Sequence, residues 1–290
     1  MKIQMLAGVV ITTSFLFAQS THRKLPPHLQ IVGQSMVECT YEYRVNAPLR
    51  AGTSNETEMV RYRTVLQAGG SVSKFWDWHS FKKDSITFFS ETEIAPDSLR
   101  RLNGKYYYRV ADLFSPTVFR NHPAGKFTVL DDVLFDFYEY GEPLPIYEWK
   151  IYDDTLTTVC GYECQKASAL LGGRQWVVWF APELMINAGP WKFSGLPGLI
   201  LKATDESGTH DFEAIGIRNS TLPIYIAQNA MRIKTSKNIL EKKKLEYDAL
   251  DSRDIFDTSE MDLGGRNTII LDGIRVDIVR KTRYSALEIF

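Results

Sequence analysis

Hydrophobic and polar residues alternate with a period of two along much of the chain. The clearest run is Val37–Val45, in which apolar side chains at odd positions alternate with Glu38, Thr40, Glu42 and Arg44. A period of two matches the pleat of a β-strand, where successive side chains point to opposite faces. This run therefore predicts an antiparallel strand with one buried and one solvated face.

Shorter β-type runs follow through the rest of the chain, separated by turn residues. Asn103-Gly104 and Asp272-Gly273 are typical of tight hairpin turns. No regular strand–helix alternation is present, so a parallel sheet is not expected. The pattern predicts a mainly β fold: a large curved antiparallel sheet or half-barrel with one or two helices. The further predicted strands are Arg61–Leu66, Phe75–Trp78, Tyr106–Val110, Phe127–Leu130, Val133–Tyr140, Tyr147–Tyr152, Gln175–Phe180, Leu199–Thr204, Phe212–Ile217 and Thr268–Val279.

One segment has the pattern of a helix. Asn238 followed by Glu241 is a capping-box pair, and the helix is predicted to continue to about Leu250. The lysines at 242–244 are balanced by nearby acidic residues, so this side of the helix is expected to face solvent.

The N-terminus has the three parts of a secretory signal. Lys2 supplies positive charge, Met5–Phe17 is a mostly apolar run, and Ala18 is a small residue suited to cleavage. Residues 1–18 are therefore interpreted as a signal peptide and residues 19–290 as a single exported domain that begins near Gln19. No later apolar run is long enough for a transmembrane helix.

Composition narrows the classes of partner. Of 290 residues, 44% are hydrophobic and 12% aromatic, which is enough for a sizeable core and argues against disorder. The formal net charge of −1 gives no overall field that would attract nucleic acid. No nucleic-acid partner is expected.

The most distinctive stretch is the loop Gly189–Gly198, which combines glycines and prolines with large apolar side chains. Glycine and proline fix an unusual backbone path, while Trp191 and Phe193 are unusual in a solvent-exposed loop. Two interpretations are open: the loop presents a rigid recognition surface, with Lys192 meeting a negative group beside Trp191, or its aromatic side chains fill the core. The candidate ligand- or partner-binding residues are Trp179, Pro182, Asn187, Gly189, Trp191, Lys192, Phe193, Gly195, Pro197 and Gly198.

This stretch resembles the GLPGLI family of exported Bacteroidetes proteins, named for the string found here at Gly195–Ile200. The chain end at Tyr284–Ile289 resembles a weaker form of the family's ending, with Ser285-Ala286 where Asn-Pro is usual. The resemblance implies a periplasmic or cell-surface protein of a Gram-negative bacterium and implies little about mechanism. The matching motifs are Gly161-Tyr162, Lys166-Ala167, Gly173-Arg174, Trp179–Glu183 and Gly189–Phe193.

Searches for reactive groups give no catalytic, metal or cofactor site. The five histidines have no spacing typical of a metal site, and no nucleophile-elbow or phosphate-loop motif is present. In Trp76–His79, Asp77 and His79 would share a face if the strand continued, which allows a hydrogen-bonded pair. Cys160 and Cys164 fit either a short disulfide or two separate thiols.

These observations favour a non-enzymatic envelope protein that binds an apolar ligand, a peptide or an outer-membrane partner through the Gly/Pro/Trp loop. The expected fold is analogous to the half-barrels that carry lipids or lipoproteins across the periplasm. A hydrolase with a triad assembled from scattered residues is one alternative. A purely structural envelope protein, with the loop packed as a plug, is the other.

Overall fold

The computed structural model describes residues 26–48, 56–89, 114–133, 136–228, 231–249, 268–271, 274–277 and 286–288. The signal segment 1–18 and the predicted strand Tyr106–Val110 lie outside these residues. Within them, no helix has both the length and the apolar character needed to cross a bilayer.

Twelve strands form one large sheet, in the spatial order β14-β7-β6-β5-β4-β3-β2-β12-β11-β10-β9-β8. Neighbouring strands are antiparallel except for the two-residue β14, which runs parallel to β7. The sheet is curved and does not close into a barrel over the described strands, so the predicted mainly β fold class is confirmed. The strands of this sheet are β2 (Val37–Pro48), β3 (Thr57–Ala68), β4 (Ser73–Asp77), β5 (Thr117–Arg120), β6 (Lys126–Val133), β7 (Asp136–Pro143), β8 (Lys150–Val159), β9 (Tyr162–Leu171), β10 (Arg174–Ala181), β11 (Leu199–Asp205), β12 (His210–Asn219) and β14 (Ile233–Lys234).

Two small antiparallel pairs and two helices complete the described structure. β1 (Leu29–Gln34) pairs with β13 (Pro223–Ala227), and β15 (Thr268–Leu271) pairs with β16 (Ile274–Asp277). In the second pair Leu271 lies opposite Ile274, so the predicted strand Thr268–Val279 contains two short antiparallel strands; the predicted turn residues Asp272-Gly273 lie outside the described residues. The helices are α1 (Trp78–Phe89) and α2 (Lys237–Ala249).

The alternation in β2 defines the inner face of the sheet. Tyr41 and Tyr43 are buried, whereas Glu42 and Arg44 are partly exposed. On the inner side Tyr43 stacks on Phe212 of β12 with ring centroids 4.3 Å apart, and Tyr41 donates a hydrogen bond to the Ile200 carbonyl over 2.7 Å. Cross-strand aromatic pairs of this kind stabilise a curved sheet by packing large rings on its concave side.

The structure corrects the prediction around Trp76–His79. β4 ends at Asp77 and α1 begins at Trp78. The Asp77 carboxylate accepts a hydrogen bond from the Ser80 backbone amide over 2.7 Å, which makes Asp77 the N-cap of α1. Asp77 and His79 therefore do not share a strand face, because the chain changes from strand to helix between them.

The cap predicted for the second helix is also wrong. α2 begins at Lys237, and the Ser236 side chain accepts a hydrogen bond from the Ile239 amide over 3.4 Å, so Ser236 and not Asn238 is the cap. The lysine side of α2 is only partly solvated: Lys242 is exposed, but Lys244 is mostly buried in an ion pair with Asp131.

Candidate functional site

The loop between β10 and β11 follows a path that only glycine permits at two positions. A Cβ at Gly198 would lie 2.2 Å from the carbonyl oxygen of Ala181, so any side chain there would overlap the backbone. Gly195 adopts a φ of +94°, in the region that strongly favours glycine. These glycines allow the loop to pack closely against the end of β10.

The large side chains of this loop pack into the core. Trp191 is 8% exposed and Phe193 is 1% exposed. Phe193 packs edge-on against Trp176 of β10, with ring centroids 4.8 Å apart, and Trp191 packs against Phe114 at 6.1 Å. Of the two interpretations of these aromatics, the structure therefore shows the packed one.

Lys192 is also buried, and its charge is neutralised within the chain. Its ammonium lies 2.6 Å from the carboxylate oxygens of both Glu142 and Glu288, and 3.2 Å from the hydroxyl of Tyr140. Glu288 also accepts a hydrogen bond from the Trp191 indole nitrogen over 3.0 Å. The negative group expected beside Trp191 and Lys192 is thus supplied by the chain's own C-terminal segment.

That segment is held at several further points. The Ala286 carbonyl accepts hydrogen bonds from Arg174 over 3.0 Å and from the ring of His210 over 3.1 Å, while Leu287 is buried. Lys237 of α2 forms a further ion pair with Glu288. We call the contact between Gly189–Gly198 and residues 286–288 the loop–tail junction.

The charges of the loop–tail junction are consistent with these contacts. Burial, together with the nearby Arg174 cation, lowers the pKa of His210 from 6.5 to about 4. His210 is therefore neutral at pH 7, and the Tyr43 hydroxyl lies 2.8 Å from its Nδ1. The pKa of Glu288 is lowered: burial opposes this, but Lys192 and Lys237 outweigh it by stabilising the carboxylate.

The remaining candidate residues lie at the outer side of the loop. Pro182, Asn187, Gly195 and Pro197 are exposed, Trp179 is half-buried, and Gly189 and Gly198 are buried. The Asn187 side chain accepts a hydrogen bond from the Gly195 amide. The segment before β8 packs on the loop, since Tyr147 and Trp149 donate hydrogen bonds to the carbonyls of Lys192 and Ser194.

Cys160 and Cys164 are two separate thiols, which settles the alternative left open by their spacing. Cys160 and Gly161 form the two-residue turn between β8 and β9, both with positive φ. The Cys160 sulfur donates to the Ala214 carbonyl over 2.9 Å, whereas Cys164 is buried on β9.

A second site lies beside β4, away from the Gly189–Gly198 loop, and the sequence pattern did not predict it. A cavity of about 220 Å³ opens between β4, the start of α1, β6 and β13. Its walls include charged and aromatic side chains, among them Lys74, Trp76, Asp77, Asp132, Tyr225 and Arg232. We call it the Lys74 cavity.

Lys74 is the most unusual residue of this cavity. It is 4% exposed, and its amine lies 3.4 Å from the centre of the Trp76 ring and 4.2 Å from that of Tyr225. Among the described residues, its amine donates one hydrogen bond, to the Tyr225 carbonyl over 3.3 Å. Burial lowers the pKa of Lys74 to about 7, because removal from water penalises the charged form.

Other polar atoms of the cavity also lack partners. The Trp76 indole nitrogen is buried and makes no hydrogen bond with the described residues; the buried Oδ2 oxygen of Asp77 makes none of normal geometry, although the Phe114 backbone lies near enough to lower the pKa of this carboxyl group slightly. Burial raises the pKa of Asp77, and burial with the neighbouring Asp131 raises that of Asp132 to about 6. One indole donor, one amine and two carboxyl groups with raised pKa values thus line the same small space.

Sequence reasoning selected Trp76 and Asp77 but missed Lys74. A lysine beside Phe75 and Trp76 in the short strand Ser73–Asp77 is a local signal that the outer face of this strand is covered. The side chain that covers Lys74 is Tyr225, which is far away in the sequence.

Comparison with known proteins adds little to this geometry. No protein-family model matches the chain, and no curated protein sequence does. Among solved structures, two crystal forms of PNGF-II are similar, with TM-scores of 0.48 and 0.45 and identities of 11% and 12%. In both cases 72% of this chain is aligned, but it spans only about a third of the PNGF-II chain, 33% and 32%.

Proposed function

We propose that this chain is an exported binding protein of the cell envelope that holds a small polar ligand in the Lys74 cavity. The main support for the proposal is a pair of buried polar atoms that lack a hydrogen bond of normal geometry. They are the Trp76 indole nitrogen and the Oδ2 oxygen of Asp77, and both lie beside the buried amine of Lys74. Export and an envelope setting rest on the signal-like residues 1–18 and on the resemblance to the GLPGLI family.

Unpartnered buried polar groups are costly. A buried donor or acceptor without a hydrogen bond typically destabilises a protein by about 1–3 kcal/mol. Such groups are few in folded proteins, and a cluster of them around one cavity is typical of a binding site that a ligand completes. The aromatic walls formed by Trp76 and Tyr225 would cover the apolar part of such a ligand.

In this proposal the Gly189–Gly198 loop has a structural role and does not contact the ligand. Its aromatic side chains and Lys192 join the sheet to the C-terminal segment, and no residue of the loop lines the Lys74 cavity. The loop thus stabilises the curved sheet on which the Lys74 cavity is built.

Recognition of a partner by the outer side of the loop is the second candidate function. It is favoured by two large apolar side chains beside the loop: Met185 is 89% exposed and Ile146 is 96% exposed. Exposed apolar side chains on a rigid support are typical of a protein interface. A peptide or an outer-membrane protein would be the partner.

Trp76→Phe tests the proposed function, because it removes the unpartnered donor and keeps an aromatic ring. Native mass spectrometry of the exported chain should show a bound small molecule on a mature protein that begins near Gln19. We expect Trp76→Phe to weaken retention of this molecule about tenfold, which corresponds to one lost hydrogen bond.

Trp78→Phe is the matched control, since Trp78 begins α1 and does not line the cavity. It should retain the molecule like the wild type. A wild-type chain without any bound molecule, or equal retention in both variants, would contradict the proposal.

A further inference from the structure

We propose that Lys74 reacts covalently with its ligand, capturing a small aldehyde or ketone as a Schiff base within the Lys74 cavity. This inference rests on the proposed function and names the chemical class of the ligand. The geometry that supports it is the position of a primary amine on the wall of a small cavity that has both aromatic and charged side chains.

Three buried lysines of this protein show what is special about Lys74. Lys192 lies 2.6 Å from two carboxylates, and Lys244 forms an ion pair with Asp131. Lys74 has no carboxylate within ion-pair distance among the described residues, and its amine faces Trp76, Tyr225 and Phe119. A lysine without a counter-ion is poorly suited to structural pairing, and its unprotonated form is a nucleophile.

The charged groups around Lys74 favour this reactivity. Asp84 lies near enough to favour the ammonium form, but its carboxylate is engaged by the Tyr225 hydroxyl at 2.5 Å, while Arg232 disfavours a second positive charge. Because burial is the largest influence, the pKa of Lys74 falls to about 7, so about half of the amines are neutral at pH 7. Asp132, with a pKa of about 6, supplies a carboxyl group that exchanges protons near this pH, and burial also raises the pKa of Asp77.

The reaction balances without an oxidant or a reductant. The lone pair of the Lys74 nitrogen forms a bond to the carbonyl carbon, and the carbonyl π pair moves to oxygen, which takes a proton from a cavity carboxylic acid. The nitrogen then loses a proton to the carboxylate, giving a neutral carbinolamine. A second protonation of the hydroxyl lets it leave as water, the nitrogen lone pair forms the C=N bond, and loss of the remaining N–H proton leaves the neutral imine.

Reductive trapping on the full wild-type chain tests the proposal. The protein is incubated at pH 7 with glyceraldehyde and cyanoborohydride, which reduces an imine to a stable secondary amine, and modified lysines are located by peptide mass mapping. We expect Lys74 to be modified at least about tenfold more than Lys242, because few exposed lysines are neutral at this pH. Lys242 is a suitable reference, since its side chain is 78% exposed.

A second reference lysine tests whether contact with an aromatic ring is enough to make a lysine reactive, without the cavity. Lys150 lies 5.1 Å from the Tyr152 ring on the exposed β8 strand, outside the cavity, and should react like Lys242. Preference for Lys74 that disappears after unfolding in urea would support the proposal. Modification of Lys242 and Lys150 with Lys74 unreacted would overturn it.

The two proposals fail in different ways. If native mass spectrometry shows a bound molecule that depends on Trp76 while Lys74 resists trapping, the cavity binds its ligand without a covalent bond and the carbonyl inference is wrong. If Lys74 is trapped selectively but the exported chain carries no molecule, the reactivity of Lys74 stands and the proposed binding function in the envelope does not.

Discussion

At the scale of single residues, the buried lysines show how surroundings determine the chemistry of a side chain. Lys192 is surrounded by Glu142 and Glu288, so it remains a cation that ties two segments together. Lys74 is buried with no carboxylate within ion-pair distance among the described residues, so burial lowers its pKa to about 7 and part of the amine is neutral at pH 7. The same functional group is thus a structural cross-link in one place and a potential nucleophile in the other.

Trp191→Ala measures the structural role of the loop's largest side chain. Trp191 packs on Phe114 and donates a hydrogen bond to Glu288, so its removal leaves a cavity and an acceptor without its donor. We expect a loss of about 3–5 kcal/mol in the free energy of unfolding, measured by urea denaturation.

The matched substitution on the same loop is Pro197→Ala, because Pro197 is exposed. It should change the free energy of unfolding by less than about 1 kcal/mol. If Trp191→Ala lowers the free energy of unfolding as little as Pro197→Ala does, Trp191 does not support the core. That result would favour a role of Trp191 in recognition.

At the scale of elements, the loop is defined by glycines at points of close backbone approach. Its backbone is held by hydrogen bonds to the chain around it: the Leu199 amide donates to the Leu184 carbonyl over 2.9 Å, and the Ile200 amide donates to the Ala188 carbonyl over 3.0 Å. The loop and the first residues of β11 are therefore held in place together, so a substitution at one loop glycine would displace both.

Gly198→Ala tests this arrangement. The added methyl group would lie 2.2 Å from the Ala181 carbonyl oxygen and 2.7 Å from its carbon, so the backbone must move. We expect a loss of at least about 3 kcal/mol in the free energy of unfolding, because rigid backbone atoms cannot relax around the overlap.

Gly216→Ala on β12 is the control, since an added methyl group there meets no atom within 4 Å. It should leave stability nearly unchanged or raise it by about 0.5 kcal/mol through the unfolded state. Equal effects of the two substitutions would contradict the close approach at Gly198.

At the scale of the whole molecule, the C-terminal segment connects several separate elements of the structure. Residues 286–288 contact β10, β12, α2 and the Gly189–Gly198 loop through Arg174, His210, Lys237 and Lys192. These elements come from separate parts of the chain, so the loop–tail junction stabilises their arrangement as one unit. Its charged and titratable groups make that stability depend on pH.

His210 should weaken the fold in mild acid. Its folded pKa of about 4 is below the unfolded value of 6.5, so between these values the unfolded chain binds more protons, and stability falls as pH falls. The contribution is fully present above pH 6.5 and amounts to roughly 3 kcal/mol at most. The measurement is the free energy of unfolding of wild type and His210→Gln at pH 7 and pH 4.5.

The difference between the two proteins isolates this contribution. Asp77 and Asp132 have raised pKa values and therefore change stability in the opposite direction over the same range, but they are present in both proteins. We expect the advantage of wild type over His210→Gln to shrink as the pH falls. An advantage that is independent of pH would show that His210 is not held in its neutral form.

The sequence by itself determined the class of fold and the unusual backbone path of the loop. The alternation at Val37–Val45 predicted a half-buried antiparallel strand, and the structure confirms it as the middle of the large sheet. Both inferences succeed because they depend on local properties: the side-chain period of a strand and the backbone restrictions of glycine and proline. Where the structure changes within a few residues, as at Asp77, the prediction was wrong because the strand was extended past the residue that ends it and caps the next helix.

Only the tertiary structure decided which side chains are buried and what they contact. Glu288, the partner of Lys192, is 96 residues away in the sequence, and Tyr225, which covers Lys74, is 151 residues away. No periodicity links such positions, because they meet only after the sheet has curved and its ends have been covered. The pKa values of Lys74 and His210 follow from that burial, so the chemistry of both sites is a property of the folded chain rather than of any segment of it.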